Sequence, residues 1–307
     1  MAPGPARILD GRDGWPRHAA AEDSSAMKLG LVGFGVVGHA VAEVFGSARL
    51  AIYDKFQRDY NSTAQRAAMD DQDLVFVAVP TPEGAGGGAD IGQVEEVVSW
   101  VRAPLCIKST VPPGTTDMLA RKYHKTICFS PEFVGETPWH PFKTAATPGF
   151  IVAGGPRAAA QRILQAYQER LGPAPRYWLT NAKTAEMAKY MQNCFLATKV
   201  AFANQFFELA QALEIDFTEL RELWLQDPRV GRSHTLVTEE RGFGGRCLPK
   251  DLAAMVALGR QMGGAPLLEA VQRYNREVRA RAALAAEAVG TTARMPELNG
   301  ANPRPAA

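Results

Sequence analysis

The sequence predicts an α/β fold: an N-terminal, doubly wound parallel sheet of the dinucleotide-binding kind, followed by an all-helical domain built on one long helix. Three observations carry that prediction. Short apolar strands alternate with helical runs from Lys28 to Thr180, a glycine-rich turn opens the first helix, and the strand signals then stop. Beyond them, Ala185 to Leu213 contains neither Pro nor Gly. These signals divide the chain into an extension over 1–26, a dinucleotide-binding domain over 27–181, a helical domain over 182–289 and a flexible tail over 290–307.

The 307 residues are 46% hydrophobic, enough for one large or two ordinary domains with a core. Lys and Arg number 34 and Asp and Glu 32, and a net charge of +2 gives no signature of nucleic-acid or membrane binding. No apolar run approaches the roughly 20 residues of a membrane span. Cys106, Cys128, Cys194 and Cys247 are widely spaced and the histidines do not cluster, so no metal site is expected. The first three cysteines lie in strand-like or helix-like runs and read as buried filler, which fits a reducing, cytoplasmic compartment. Residues 1–26 lack periodicity and the apolar core of a signal peptide; they read as a disordered extension outside the fold, with Met27 a candidate start.

Lys28 to Val32 is the first strand. Gly33-Phe34-Gly35-Val36-Val37-Gly38 follows, then a helical run from His39 to Phe45 and a second strand, Leu50 to Tyr53, that ends at Asp54. The acidic residue comes 21 positions after the first glycine. A strand, a G-x-G-x-x-G turn, a helix and a carboxylate at that distance form the dinucleotide context. The glycines let the backbone approach the pyrophosphate, the helix N-terminus favours its charge, and Asp54 would hold the adenosine ribose. Asp54 also disfavours a 2′-phosphate and so points to NAD over NADP, although Lys55 and Arg58 beside it would suit a phosphate.

The alternation continues through Asp73–Val79, ending at Pro80-Thr81-Pro82; Pro104–Lys108, ending at Ser109-Thr110; Thr126–Ser130, ending at Pro131-Glu132-Phe133; and Phe150–Ala153. Helices are expected near Gln93–Val101 and Arg157–Arg170. Ligands of such sheets bind beyond the carboxyl ends of the strands, where Thr81, Ser109, Thr110 and Glu132 fall.

In the long helix, apolar residues recur at helical spacing (Met187, Met191, Cys194, Phe195, Ala201, Phe202, Leu209), predicting a largely buried element. Lys189 and Asn193 are four apart and share a face. A helix over Asp216–Leu225, a turn at Asp227–Gly231 and helices over Leu252–Met262 and Pro266–Ala288 complete the chain.

Between them lies Gly242-Phe243-Gly244-Gly245-Arg246-Cys247-Leu248-Pro249-Lys250-Asp251. Pro249 suits the first turn of a helix, which would put Cys247 just before a helix N-terminus, where positive potential favours the thiolate. On its own the stretch fits equally a glycine-rich turn whose cysteine fills a hole.

Six segments together decide between those readings: Gly33–Gly38, Val77–Pro82, Lys108–Pro112, Ser130–Glu136, Ala185–Ala197 and Gly242–Asp251. In that order the chain resembles the UDP-glucose/GDP-mannose dehydrogenase family, NAD-dependent enzymes that oxidise a sugar-nucleotide primary alcohol to a carboxylate. The resemblance implies that Cys247 captures the aldehyde of a first oxidation and carries the thioester of a second. It implies oxyanion stabilisation and assistance in proton transfer for Lys189, hydrogen bonding for Asn193, and an ordered water held by Asp251 and that lysine. Glu132 would serve thioester hydrolysis and Thr110 would position water. It implies cofactor contacts at Gly33, Phe34, Gly35, Val36, Val37, Gly38, Asp54, Lys55, Val79, Pro80, Thr81, Ser109, Thr110 and Glu136. Substrate contacts are implied at Glu132, Phe133, Val134, Lys189, Asn193, Arg229, Phe243, Gly244 and Cys247, with Arg229 reaching the neighbouring subunit's substrate in a homodimer built on the long helix.

Two departures stand against the family pattern. The family continues into a second Rossmann-like domain that completes the nucleotide pocket, and this sequence stops at Ala307. Arg246 and Leu248 stand where a small or polar residue and an aromatic are usual. The expectation is a short-form, four-electron alcohol dehydrogenase acting on a sugar nucleotide or a smaller phosphorylated alcohol. A two-electron dehydrogenase of the 6-phosphogluconate or β-hydroxyacid type and a non-catalytic NAD-binding module are the alternatives.

Overall fold

A computed structural model describes residues 7–9, 27–133 and 145–292. Among the described residues eight strands form one sheet: β1 (Arg7–Leu9), β2 (Leu29–Val32), β3 (Leu50–Tyr53), β4 (Leu74–Val77), β5 (Leu105–Ile107), β6 (Ile127–Phe129), β7 (Phe150–Gly154) and β8 (Arg176–Thr180). Their order is β1-β8-β7-β6-β5-β4-β2-β3. Helices α1 (Val36–Phe45), α2 (Thr63–Ala67), α3 (Gly92–Trp100), α4 (Thr115–Tyr123) and α5 (Arg157–Leu171) lie between strands.

The side-chain alternation of the strands builds two cores. Leu29, Leu31, Leu74, Phe76, Cys106 and Cys128 join Val41 and Phe45 of α1 and Ile163, Leu164 and Tyr167 of α5. Val32, Val75, Val77, Leu105, Ile107, Ile127 and Phe129 join Val94, Val97 and Val98 of α3 and Leu119 of α4. Helices on both faces explain why β2, β4, β5 and β6 are buried at every residue. β2 pairs in parallel with β3 on one side and β4 on the other, so the strand order reverses at its carboxyl end. That reversal is where open α/β sheets take their ligands.

The sheet departs from the all-parallel expectation beyond β6. β7 runs antiparallel to β6, meeting it at Phe129 and Gly154. A parallel neighbour needs a crossover that returns the chain to the opposite end; α5 provides one between β7 and β8, which are parallel to each other. A second departure is β1, inside the stretch read as lying outside the fold. It pairs antiparallel with β8, Ile8 opposite Trp178. An open strand edge accepts any extended segment through backbone groups alone, so three residues suffice without periodicity. The remainder of 1–26 lies outside the described residues.

The chain divides into two compact units. The first holds the sheet and its helices, the long helix α6 (Ala182–Ala212) up to Leu196, and Arg246–Ala265 with the helix Leu248–Gln261. The second holds Ala197–Gly245, including α7 (Phe217–Trp224), and the segment from Pro266 onward. Leu248–Gln261 is α8, and α9 spans Pro266–Thr292, four residues past its expected end; 293–307 lie outside the described residues. In the second unit, Asn275 brackets Phe243, accepting from its N–H at 2.7 Å and donating to its carbonyl at 2.9 Å.

The expectation that α6 is largely buried does not hold. Ala185, Tyr190, Cys194, Ala197 and Ala201 are buried, whereas Met187, Met191, Phe195, Phe202, Phe206, Leu209 and Leu213 are exposed, Met191 by 74%. The apolar residues occupy two faces of the helix, and the fold of one chain covers one of them. No helix among the described residues is long and apolar enough to cross a membrane.

Candidate active site

The turn after β2 fits a dinucleotide. Gly33 has φ 93°, and a Cβ there would come within 2.5 Å of the Ala78 carbonyl oxygen; a Cβ at Gly38 would meet the Gly33 carbonyl oxygen at 2.2 Å. Gly35, the N-cap of α1, is exposed and faces open space. The outer two glycines permit close packing, and the middle one leaves the helix N-terminus open to a pyrophosphate. Val36 is exposed and Val37 half-buried in the first turn of α1.

Asp54 is fixed against this turn. Its Oδ2 accepts from the Phe34 N–H at 2.7 Å and its Oδ1 from the Phe56 N–H at 2.8 Å. Each oxygen retains a lone pair for a ribose hydroxyl. The Phe34 ring stacks on His39 at 4.1 Å, and its carbonyl accepts from Gln57 at 2.7 Å. Lys55 is held by Glu96 at 2.6 Å.

Hydroxyls tie together the carboxyl ends of β4 and β5. Thr81 Oγ1 donates to the Thr110 carbonyl at 2.8 Å, and Ser109 Oγ to the Val79 carbonyl at 2.6 Å. Pro80 is exposed between them. Beyond β6, Glu132 Oε1 accepts from the Phe133 N–H at 3.0 Å, and its Oε2 lies 3.4 Å from Lys108 Nζ. Val134 and Glu136 lie outside the described residues.

α6 and α8 complete the first unit's cluster. Cys247 is the exposed N-cap of α8, with Pro249 in the first turn, as the sequence predicts. Cys106, Cys128 and Cys194 are buried, and burial pushes the thiols of the last two up to about 12. One turn into α8, Asp251 is buried, with Oδ2 accepting from Asn193 Nδ2 at 2.6 Å and Oδ1 from Lys250 Nζ at 2.5 Å. Lys189 Nζ lies 4.9 Å from the centre of the Phe133 ring. Burial lowers its pKa below the usual lysine range, against the raising pull of the Asp251, Cys247 and Glu132 charges. The Asn193–Asp251 bond ties the helix that carries Lys189 to the helix that Cys247 caps.

Three residues expected at the substrate, Arg229, Phe243 and Gly244, belong to the second unit. Arg229 is exposed there and pairs with Asp227 at 2.5 Å. Sequence reasoning assigned no role to three other groups. Lys250 sits beside Asp251. Lys108 is fully buried with Tyr167. Glu186 is fully buried too, accepting from the Gly114 N–H at 2.5 Å, the Thr116 N–H at 2.8 Å and the Thr116 hydroxyl at 2.6 Å at the start of α4. The one available signal was position: Lys108 ends an apolar strand, and Glu186 lies three residues before Lys189.

Comparison with known proteins gives a consistent result. Residues 51–170 match the NAD binding domain of the UDP-glucose/GDP-mannose dehydrogenase family, and residues 183–277 match its central domain. The chain is 32% identical over 224 residues to a UDP-glucose 6-dehydrogenase of Pseudomonas aeruginosa, covering 67% of this chain and 49% of the relative. Among solved structures, a UDP-glucose dehydrogenase from Pyrobaculum islandicum superposes with a TM-score of 0.74 at 27% identity, covering 85% of this chain and 70% of that one. A UDP-D-ManNAc dehydrogenase from Pyrococcus horikoshii gives 0.71 at 26% identity, covering 87% and 72%. The chain spans about half the length of the curated relatives it matches.

Proposed function

The chain belongs to the UDP-glucose/GDP-mannose dehydrogenase family, and from that premise we propose that it oxidises the primary alcohol of a sugar nucleotide, or of a smaller phosphorylated alcohol, to the carboxylate. The observation that carries the reading is the buried Asn193–Asp251 hydrogen bond, which ties the helix bearing Lys189 to the helix that Cys247 caps. NAD, whose binding-domain family matches residues 51–170, would accept the hydrides, held by Gly33–Gly38 and Asp54.

The balance is one alcohol, two NAD and one water giving one carboxylate, two NADH and three protons. Burial favours the neutral amine of Lys189, and in that form it takes the alcohol proton as the first hydride leaves. The Cys247 sulfur then bonds to the aldehyde carbon, and Lys189 steadies the oxyanion. Loss of the second hydride leaves a thioester on Cys247. Water attacks its carbonyl, one water proton passes to Glu132, and the C–S bond breaks to return the thiolate. Asp251, held by Asn193 and Lys250, would order the catalytic water together with Lys189. Thr110, at the end of β5, would place the water.

The test is a count of NADH per alcohol consumed, with UDP-glucose tried first and mass spectrometry of the product. Two NADH and a carboxylate support the proposal; one NADH and a carbonyl product support the two-electron alternative. The exposed apolar face of α6 further supports a homodimer, because a continuous stripe of Met, Phe and Leu is costly to leave in water. A catalytic thiol at an exposed position fits a reducing compartment such as the cytoplasm.

A further inference from the structure

Lys108 has no part in the chemistry above, yet it contacts one of the groups that does. It directly follows β5, and its side chain is fully shielded from solvent. An ammonium is expensive to bury and needs both a counter-charge and hydrogen bonds. Tyr167 of α5 supplies the hydrogen bond, its hydroxyl 2.9 Å from Lys108 Nζ. Burial pushes the Tyr167 pKa up to about 12, so this hydroxyl stays neutral near neutral pH and balances no charge. Glu132 is the carboxylate paired with Lys108 among the described residues, at 3.4 Å. Burial opposes the Lys108 charge, while the hydrogen bond to Tyr167 and the Glu132 carboxylate favour it, and its pKa stays above the usual lysine range. If volume were all the site required, Met or Leu would fill it at lower cost.

The pairing fixes an orientation. Glu132 Oε2 faces Lys108 and Oε1 accepts from the Phe133 N–H, so both ends of the carboxylate are held. The Phe133 ring in turn lies beneath Lys189 Nζ at 4.9 Å. A short path therefore runs from the buried ammonium through Glu132 and Phe133 to the lysine of the proposed chemistry.

We propose that Lys108 is a positioning residue: its ammonium sets the Glu132 carboxylate in the orientation that receives the water proton during thioester hydrolysis. The proposal rests on the dehydrogenase reading. Nothing is transferred to or from Lys108. Its loss therefore slows cleavage of the C–S bond while substrate binding and both hydride transfers proceed.

The experiment compares the wild type with Lys108→Met, Glu132→Gln, the double variant and Tyr167→Phe. Urea denaturation of the first four closes a thermodynamic cycle, and rapid mixing with mass spectrometry follows NADH and any acyl adduct on Cys247. A coupling between Lys108 and Glu132 is expected, because contacting charges are not additive. In Lys108→Met, turnover should fall by about tenfold or more with KM within about twofold, the pattern of a group that serves a chemical step rather than binding. An NADH burst and an accumulated thioester on Cys247 should accompany that fall. Tyr167→Phe, which keeps the ring volume and the charge, should show the same signature more weakly and covers the case in which Lys108→Met does not fold. Zero coupling overturns the proposal, as does slowed turnover without a trapped thioester, or a folded Tyr167→Phe with wild-type hydrolysis. A wild type that makes no NADH from any alcohol removes the dehydrogenase reading and the positioning role together, while the stability cycle still reports the ion pair.

Discussion

Asn193 and Asp251, 58 residues apart in sequence, meet through a buried hydrogen bond of 2.6 Å from amide Nδ2 to carboxylate Oδ2. The bond joins the middle of α6 to the first turn of α8 and sets Asp251 four residues from Cys247 along that helix. Replacing Asn193 with Leu leaves a buried carboxylate oxygen without its donor. The expected loss is about 1–3 kcal/mol in urea denaturation, with a fall in turnover. Wild-type stability in that variant would show that the bond contributes nothing.

Cys247→Ser should separate stability from chemistry. The side chain is exposed at a helix N-cap, where serine is well suited, so unfolding should shift by no more than about 0.5 kcal/mol. Carboxylate formation should stop, because a serine hydroxyl is a far weaker nucleophile at neutral pH. Carboxylate still formed at the wild-type rate would remove the covalent pathway.

The glycines of the dinucleotide turn should respond differently to alanine. Gly38→Ala drives a methyl into the Gly33 carbonyl and should destabilise the fold by about 1–3 kcal/mol. Gly35→Ala meets no protein atom and should leave stability within about 0.5 kcal/mol, while weakening NAD binding in calorimetry by about tenfold. Equal NAD affinity in Gly35→Ala would place the pyrophosphate elsewhere.

Glu186 gives a pH prediction with a definite sign. Burial raises its pKa, against the lowering effect of the Thr116 and Gly114 donors. The folded protein thus holds this proton more tightly than the unfolded chain. Its stabilising share is complete below the unfolded value of about 4.3 and is lost as pH rises through the higher folded value. Glu186→Gln does not titrate, so the stability of the wild type relative to this variant should fall as pH climbs through that window. A difference that widened with pH would contradict the assignment.

The uncovered face of α6 predicts its own test. Met191→Asp combined with Phe195→Asp puts two charges on the apolar stripe and should convert a dimer to monomers in sedimentation analysis. A wild type that is monomeric at all concentrations would remove the dimer proposal.

Local signals made much of this visible in the sequence. The glycine turn and Asp54 are legible because a strand, a helix start and a carboxylate lie within one βαβ unit, and Cys247–Asp251 because Pro249 marks a helix start. Lys108 was not legible: in sequence it is a charged end to an apolar strand, and its burial depends on Tyr167, 59 positions away. The direction of β7 was hidden for a similar reason, since a strand's periodicity carries no information about which end of the sheet it enters. Periodicity also led to the wrong expectation for α6, because two apolar faces on one helix look in sequence like one helix buried all round.

Glu186, tied to the start of α4, and Asn193, tied to α8, are two turns apart on α6, with Lys189 between them. The helix therefore acts as a ruler whose spacing is fixed at both marks. Adding or removing one residue between Glu186 and Asn193 would turn one mark by about 100° relative to the other. Either the α4 anchor or the carboxylate contact would then be lost, however conservative the inserted residue. This segment should tolerate substitutions far better than changes of length, whereas the exposed loops of the same unit should tolerate both.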